Sequence, residues 1–416
     1  MSVEAKLVLA FAIPIAWTAM TSSSHASVPD LLGFGARGRA MAGTLTATAS
    51  GHEAVYYNPA GLARATGATF AAGFELTTFS MRLDGKAEEI PDALALDVGF
   101  AVPVPFVGVL RDRAVLGFGF VLPTASVLVA DVPIPGEPRF VRVGSRAQTV
   151  SLMGSLGLRL FDELSVGVGF IALSELRGSI DVAPNETGDI GTTVRDELVA
   201  DYAPILGALY SFGELSLGLT FRGESSAEFD LPITANLGDR FPLPIPTLDI
   251  SGTAQYDPLE LSFGICWRAS DELALAISAE YSAWSAYPAP IAYTAVPEGF
   301  EVQPSPGFSD VVAVRAGAEW VTGSLAFRAG VAVDPSPVPT GSRGYLDSTQ
   351  LIGSLGAGAR VDVARIDLAL SVHDFLGLTE TLAPSVPGLP APRLAGAAVT
   401  HQGLVVSSLV EVGVSL

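Results

Sequence analysis

The sequence predicts an all-β fold: a transmembrane antiparallel β-barrel of about 14 strands with an N-terminal hatch, or plug, inside it. Three observations carry this reading. Apolar residues alternate with small or polar ones in segment after segment, up to the last residue. Mean hydropathy is +0.45, yet past the N-terminal leader no apolar run approaches the ~18 residues of a helical span. The connections between the alternating segments are short and long in turn, as in outer-membrane barrels with tight periplasmic turns and longer external loops.

The leader comes first. Lys6 precedes an apolar run from Leu7 to Met20, and Ser24-His25-Ala26 places small residues at the −3 and −1 positions of a cleavage site. The run is too short for a helical anchor. Residues 1–26 are therefore expected to be a signal peptide, with the mature chain starting near Ser27. The destination is the periplasm or outer membrane of a double-membraned bacterium.

Residues 27–65 are the only sizeable part of the mature chain without alternation. They carry Gly38-Arg39-Ala40-Met41-Ala42-Gly43 and Tyr56-Tyr57-Asn58-Pro59-Ala60-Gly61-Leu62. Small and Gly-rich, they suit an internal plug; a periplasmic tail is the alternative.

Residues 66–416 form the barrel. Leu164, Val166, Val168 and Phe170 share one face; Leu217, Leu219 and Phe221 oppose Gly218, Thr220 and Arg222. Ile366, Leu368 and Leu370 oppose Asp367 and Ser371, and Val410, Val412 and Val414 oppose Glu411 and Gly413. The period is two, and the second face of Gly, Ala, Ser and scattered charge suits a lumen. Such segments lie near 66–83, 93–105, 113–129, 140–160, 163–183, 197–212, 214–230, 249–268, 272–287, 310–321, 323–334, 350–362, 364–377 and 403–416. Short connections fall at 161–162, 213, 270–271, 322 and 362–363. Long, Pro-rich ones fall at 130–139, 184–196, 231–248, 288–309, 335–349 and 378–402. An even strand number returns both ends to the periplasm. Closure pairs every backbone N–H and C=O, each of which would cost several kcal/mol unpaired in hydrocarbon. Eight strands close on side chains alone and sixteen leave a channel, so a barrel of about fourteen needs filling.

Composition excludes other classes. A net charge of −20 offers no basic stripe for nucleic acid. A single cysteine, Cys266, allows neither a disulfide framework nor a Cys-based metal cluster. Gly33-Phe34-Gly35-Ala36-Arg37-Gly38 spells G-x-G-x-x-G with Glu53 twenty residues on, but no strand precedes it and no βαβ pattern follows. His52, His373 and His401 are the only mature histidines, and no serine sits in a nucleophile context. His373 and Asp374 point to opposite faces of one strand. No catalytic residue, metal or cofactor is expected.

Candidate site residues follow from position. Asn58-Pro59-Ala60 holds a defined bend, because Asn caps turns and Pro fixes φ. Arg222, Arg315 and Arg328 face the lumen, where they could meet a ligand carboxylate. Alternatively they pair with lumen acids such as Glu280, Glu319, Asp367 and Glu411. Phe34 and Ile171 could line an acyl tail, at about 0.8 kcal/mol per buried CH₂. Pro123, read inside a strand, would remove a ladder hydrogen bond and permit a break in the wall; a bend without function is the alternative.

The chain resembles the FadL/TodX family of outer-membrane transporters for long-chain fatty acids and other hydrophobic compounds. The likeness rests on the Gly38 to Gly43 segment with Asn58-Pro59-Ala60, on Val115 to Ser126 with Pro123, and on Gly213 to Phe229. It extends to Ala283-Trp284-Ser285 and to Val314 to Pro337, which includes Asp334-Pro335-Ser336-Pro337. The resemblance implies a fourteen-stranded barrel whose hatch includes Gly38, Met41, Gly43, Asn58, Pro59 and Ala60. It implies passive uptake of a hydrophobic ligand, with sideways exit where the third strand kinks. The implied setting is outer-membrane lipid, insertion by the barrel-assembly machinery and a monomer; no enzyme activity is implied. Some relatives instead act as scaffold or shuttle subunits of secretion systems, and that partner-binding role is the alternative.

Overall fold

The structure is a computed structural model describing residues 28–108, 111–124, 138–143, 150–184, 190–235, 248–288, 291–293, 306–342, 344–384 and 394–416. The expected signal peptide lies outside the described residues.

Fourteen antiparallel strands close into a barrel. They are β1 (Thr69–Leu83), β2 (Ala93–Pro103), β3 (Ala114–Pro123), β4 (Ser151–Arg159), β5 (Leu164–Pro184), β6 (Ile190–Phe212) and β7 (Leu215–Arg222). Then come β8 (Glu260–Arg268), β9 (Leu273–Ser282), β10 (Val311–Thr322), β11 (Leu325–Asp334), β12 (Gln350–Val361), β13 (Ala364–Thr381) and β14 (Ala398–Ser415). Each pairs with the next, and β14 returns to β1 in a ladder from Thr69↔Ser415 to Leu83↔His401. The closing ladder removes the sheet edges that hydrocarbon would not tolerate. None of the described helices is long and apolar enough to cross a membrane.

The two strand faces separate as the alternation requires. Phe74, Leu206, Ile277, Leu355, Ile366 and Val412 are 49–63% exposed on the outer face. Their inward neighbours, such as Glu75, Ile205, Ser278, Ser354, Asp367 and Glu411, are buried. A soluble protein would not leave a contiguous apolar belt of this size open, so the outer face meets lipid. Turns at 160–163, 213–214, 269–272, 323–324 and 362–363 lie at the same end as the start of β1 and the end of β14, which makes that end periplasmic.

Several boundaries differ from the sequence reading. The segment expected at 113–129 ends as β3 at Pro123. Within the segment expected at 140–160, only Ser151–Arg159 joins the wall. Residues 138–143 instead lie apart from the wall ladder as a strap, in which Arg139–Phe140 pair in parallel with Tyr345–Leu346, between β11 and β12, on the far side of the ring from β3 and β4. Alternation alone cannot separate a wall strand from a strand buried on both faces. Of the loop expected at 184–196, residues 190–196 belong to β6, because β5 and β6 keep pairing to Pro184↔Ile190, and 185–189 lie outside the described residues. Above β7 and β8, Ser225–Ala235 and Leu248–Asp257 continue as a second antiparallel ladder. The expected loops at 130–139, 231–248, 288–309 and 378–402 fall partly outside the described residues.

Candidate functional site: the plugged bore

Residues 28–65 fill the periplasmic half of the bore as short helices: α1 (Val28–Leu32), α2 (Ala36–Ala40), α3 (Ala54–Tyr57) and 3₁₀ turns at Gly51–Glu53 and Pro59–Arg64. Short pieces suffice because the barrel wall, not helix length, supplies the packing.

Close approach to the wall depends on inward glycines at plug height. A Cβ on Gly207 of β6 would stand 2.2 Å from Asn58 Oδ1. One on Gly330 of β11 would stand 2.3 Å from the Met41 carbonyl carbon. Gly117, Gly167, Gly218 and Gly264 meet other plug atoms in the same way. These glycines form a collar into which the plug backbone is pressed.

Asn58 shows what the collar permits. It is fully buried and caps the turn at Pro59–Arg64 by accepting from the Ala60 N–H at 3.1 Å. Its Nδ2 donates to Thr46 O at 2.7 Å within the plug and to Ala208 O of β6 at 3.0 Å. Pro59 and Ala60 are buried behind it. Gly38 donates to Glu53 Oε1 at 3.0 Å, and Gly43 turns with φ 78° beside Arg315. Met41 packs on Gly317 and Gly330.

Buried ion pairs bind plug to wall. Arg39 forms a pair with Glu75 at 2.6 Å and Asp97 at 3.3 Å. Arg37 reaches Glu319 at 2.8 Å, and His52 reaches Glu411 at 3.3 Å. Burial alone would lower the His52 pKa, but the Glu411 carboxylate outweighs it and the net shift is upward. Burial pushes the Glu53 carboxyl up. His52, Glu53 and Glu411 offer metal-ligand atoms within 4.8 Å of one another. Their carboxylates already accept the N–H groups of Ala36, Arg37 and Gly38 at the start of α2.

The three lumen arginines are all engaged. Arg222 pairs with Glu260 at 2.5 Å and Asp30 at 3.5 Å and lies 4.2 Å over the Tyr56 ring. Arg315 pairs with Glu280 at 2.8 Å. Arg328 bridges Glu319 at 2.7 Å and Asp367 at 2.6 Å. Between them and the plug lies a polar cavity of about 60 Å³, bordered by Arg222, Glu280, Arg315, Ser371 and His373. It has room for a few waters at most.

Phe34 and Ile171 belong to a different region. Both are buried in one apolar cluster with Phe79, Met81, Val121, Met153, Ile205 and Val405. These wall residues come from β1, β3, β4, β5, β6 and β14 and face inward above or beside the plug. The strap closes the cluster from above: Phe140 and Val143 join it, and the Phe140 ring meets His401 edge-on at 6.1 Å. Arg142 latches the strap. It is 3% exposed, pairs with Asp347 at 2.9 Å and Asp334 at 3.0 Å, and donates to Ser348 O at 2.8 Å. On its outer side Val141 packs in an aromatic cluster of Tyr256, Trp284, Tyr287, Phe308 and Tyr345. Pro123 is the last residue of β3; the β3–β4 ladder ends two residues earlier, at Val121↔Ser151.

A glycine-studded, ion-paired plug in a fourteen-stranded barrel is a specific arrangement, and the comparisons agree with it. Residues 15–372 match the family described as outer membrane protein transport protein (OMPP1/FadL/TodX). The chain belongs to this family. A long-chain fatty acid transport protein of Salmonella typhi is 27% identical over 329 residues, covering 69% of this chain and 72% of the relative. The crystal structure of a Pseudomonas aeruginosa FadL homologue superposes with a TM-score of 0.62 at 15% identity, covering 92% of this chain and 98% of that one. The P. putida toluene transporter TodX gives 0.60 at 15% identity, covering 93% and 99%. At such identities the two structures establish the shared fold. As a member of this family the chain is an outer-membrane transport protein and not an enzyme.

Two features escaped sequence reasoning. The inward glycines are visible in the alternation, at Gly167, Gly218, Gly264 and Gly330, where they read as generic lumen lining. Arg142 in Phe140-Val141-Arg142-Val143 falls within the segment at 140–160, which reads as one wall strand and gives it no role of its own.

Proposed function

We propose that this chain carries hydrophobic small molecules, with long-chain fatty acids as the favoured class, passively across the outer membrane. The observation that supports this best is the apolar stretch of bore between plug and strap. A lumen that passes hydrophilic solutes is lined with polar groups. Here Phe79, Met81, Val121, Met153, Ile171 and Val405 face inward instead. Each methylene that enters such a stretch gains about 0.8 kcal/mol over water. Phe34 and Ile171 stand where a tail would lie.

In this reading residues 1–26 are a removed signal peptide, 27–65 the hatch with Gly38, Met41, Gly43, Asn58, Pro59 and Ala60, and 66–416 the barrel. The protein acts as a monomer placed by the barrel-assembly machinery. Ligand displaces the strap by releasing Arg142 and enters the apolar stretch. It leaves sideways beside β3, where pairing with β4 stops at Val121 and Pro123 ends the strand. The plug stays seated, since its collar and ion pairs would all have to break for it to leave. The lumen arginines hold the plug and wall until a ligand carboxylate competes for one of them.

Uptake of radiolabelled oleate tests the reading, comparing a strain lacking its own transporter with the same strain expressing this chain. Uptake that rises with expression and falls to background in Met81→Asp supports it. Expression of a folded, outer-membrane-located protein with no gain in uptake would overturn it in favour of a partner-binding role.

A further inference from the structure

We propose that the periplasmic mouth of the barrel binds an oxyanion head group, a carboxylate or a phosphate, on Arg64. This rests on the mouth alone and not on the transport reading, so uptake and anion binding can fail separately.

A polar cavity of about 500 Å³ opens beneath the plug, bordered by Arg37, Arg64, Arg360, Arg365, His52 and Glu53. Two of its four arginines are neutralised by the wall. Arg37 holds Glu319, and Arg365 holds Asp367 and Glu411. Arg64 differs. Its Nη1 donates to Ala47 O at 3.2 Å, and its Nη2 donates to Ser211 Oγ at 2.8 Å and Ser216 Oγ at 3.1 Å. Every acceptor is neutral, and Nε has no partner among the described residues. Arg360, on the same cavity, likewise meets no carboxylate among the described residues.

No acid among the described residues forms an ion pair with Arg64: Glu53 accepts the Arg37 and Gly38 N–H groups, and Asp362 and the Leu416 carboxyl border the same cavity without pairing with it. Burial, with Arg37 and Arg268 as neighbours, pushes the Arg64 guanidinium down to about 10. The neutral oxygens fix its orientation without balancing its charge. A cation held so is costly unless a counter-charge arrives, and guanidinium suits the paired oxygens of a carboxylate or phosphate. Two sources offer that group from this side: a free carboxylate of the periplasm, and the phosphate of an inner-leaflet phospholipid.

The test uses the full-length protein in neutral detergent, titrated with sodium butyrate, inorganic phosphate or sodium chloride at matched ionic strength. The readout is the thermal unfolding midpoint, which rises saturably when a ligand binds the folded state. Wild type is expected to respond to butyrate, phosphate or both, and not to chloride. Arg64→Gln is expected to raise the half-saturating concentration about tenfold or more. Arg64→Lys should keep part of the response. A response to butyrate alone assigns a carboxylate head group, and to phosphate alone a phosphate head group, and a further rise with a short-chain phosphatidic acid over inorganic phosphate assigns the phospholipid source. Should Arg64→Gln fold poorly, Arg360→Gln provides a second reading, with a weakened but measurable response. No saturable shift in wild type, or an equal shift in Arg64→Gln, would overturn the proposal.

Discussion

The bore wall has two unlike arcs. From β7 through β13 the inward positions carry Arg222, Glu260, Glu280, Arg315, Arg328, Asp367 and His373, and nearly every charge is matched to a neighbour or to the plug. From β14 round to β6, above the anchoring Glu75 and Asp97, they carry Phe79, Met81, Val121, Met153, Ile171, Ile205 and Val405. The difference separates two tasks. The polar arc satisfies its charges with short-range pairs, some of them to the plug through Asp30 and Arg37. Glu75, Asp97 and Glu411 anchor the plug at the foot of the other arc. The apolar arc leaves a surface that offers a hydrophobic ligand contacts it does not have in water.

Breaking the apolar arc should have the largest effect. Met81→Asp places an unpaired carboxylate among Phe79, Phe140 and Val405, and oleate uptake should fall more than tenfold, while Ser371→Asp in the polar arc should change it less than twofold. Heat-modifiable gel mobility checks that both variants fold. Arg39→Ala comes next, because it leaves Glu75 and Asp97 buried without a counter-charge. Removing one partner of a buried pair costs about 3–5 kcal/mol. The plug should loosen, the unfolding midpoint should drop, and buried Cys266 should become reactive to a small maleimide. Gly207→Val tests the collar. Its side chain would collide with Asn58, and the loss should be about 1–3 kcal/mol, measured by denaturant unfolding in detergent.

The smallest effect concerns pH. The raised pKa of His52 means that its pair with Glu411 stabilises fully below the ordinary histidine value of about 6.5 and fades as pH climbs past the raised one. The unfolding midpoint should therefore decline from pH 6 to pH 9, and by less in His52→Gln.

Much of this architecture was legible in the sequence. Val410, Val412 and Ile366 had to face lipid because their neighbours Glu411 and Asp367 could not, and the parity of connection lengths oriented the barrel. The plug stood out because nothing between Ser27 and Ala65 alternates. Less legible was which partner each lumen charge would choose. Alternation assigns Arg328 a face, but only ring closure and the plug bring Glu319 and Asp367 to it. The strap was misplaced for a related reason. Phe140-Val141-Arg142-Val143 alternates like a wall strand, yet both its faces are buried, one against His401 and the other against the aromatic cluster.

The most direct test locks the strap. Phe140 and Leu346 are register partners in the short ladder that joins the strap to the β11–β12 connection. Phe140→Cys with Leu346→Cys, in a Cys266→Ser background, should form a disulfide that holds the upper bore shut. Oleate uptake should be low under oxidising conditions and recover on reduction. Uptake by the cross-linked protein equal to that of the reduced one would contradict passage between strap and plug.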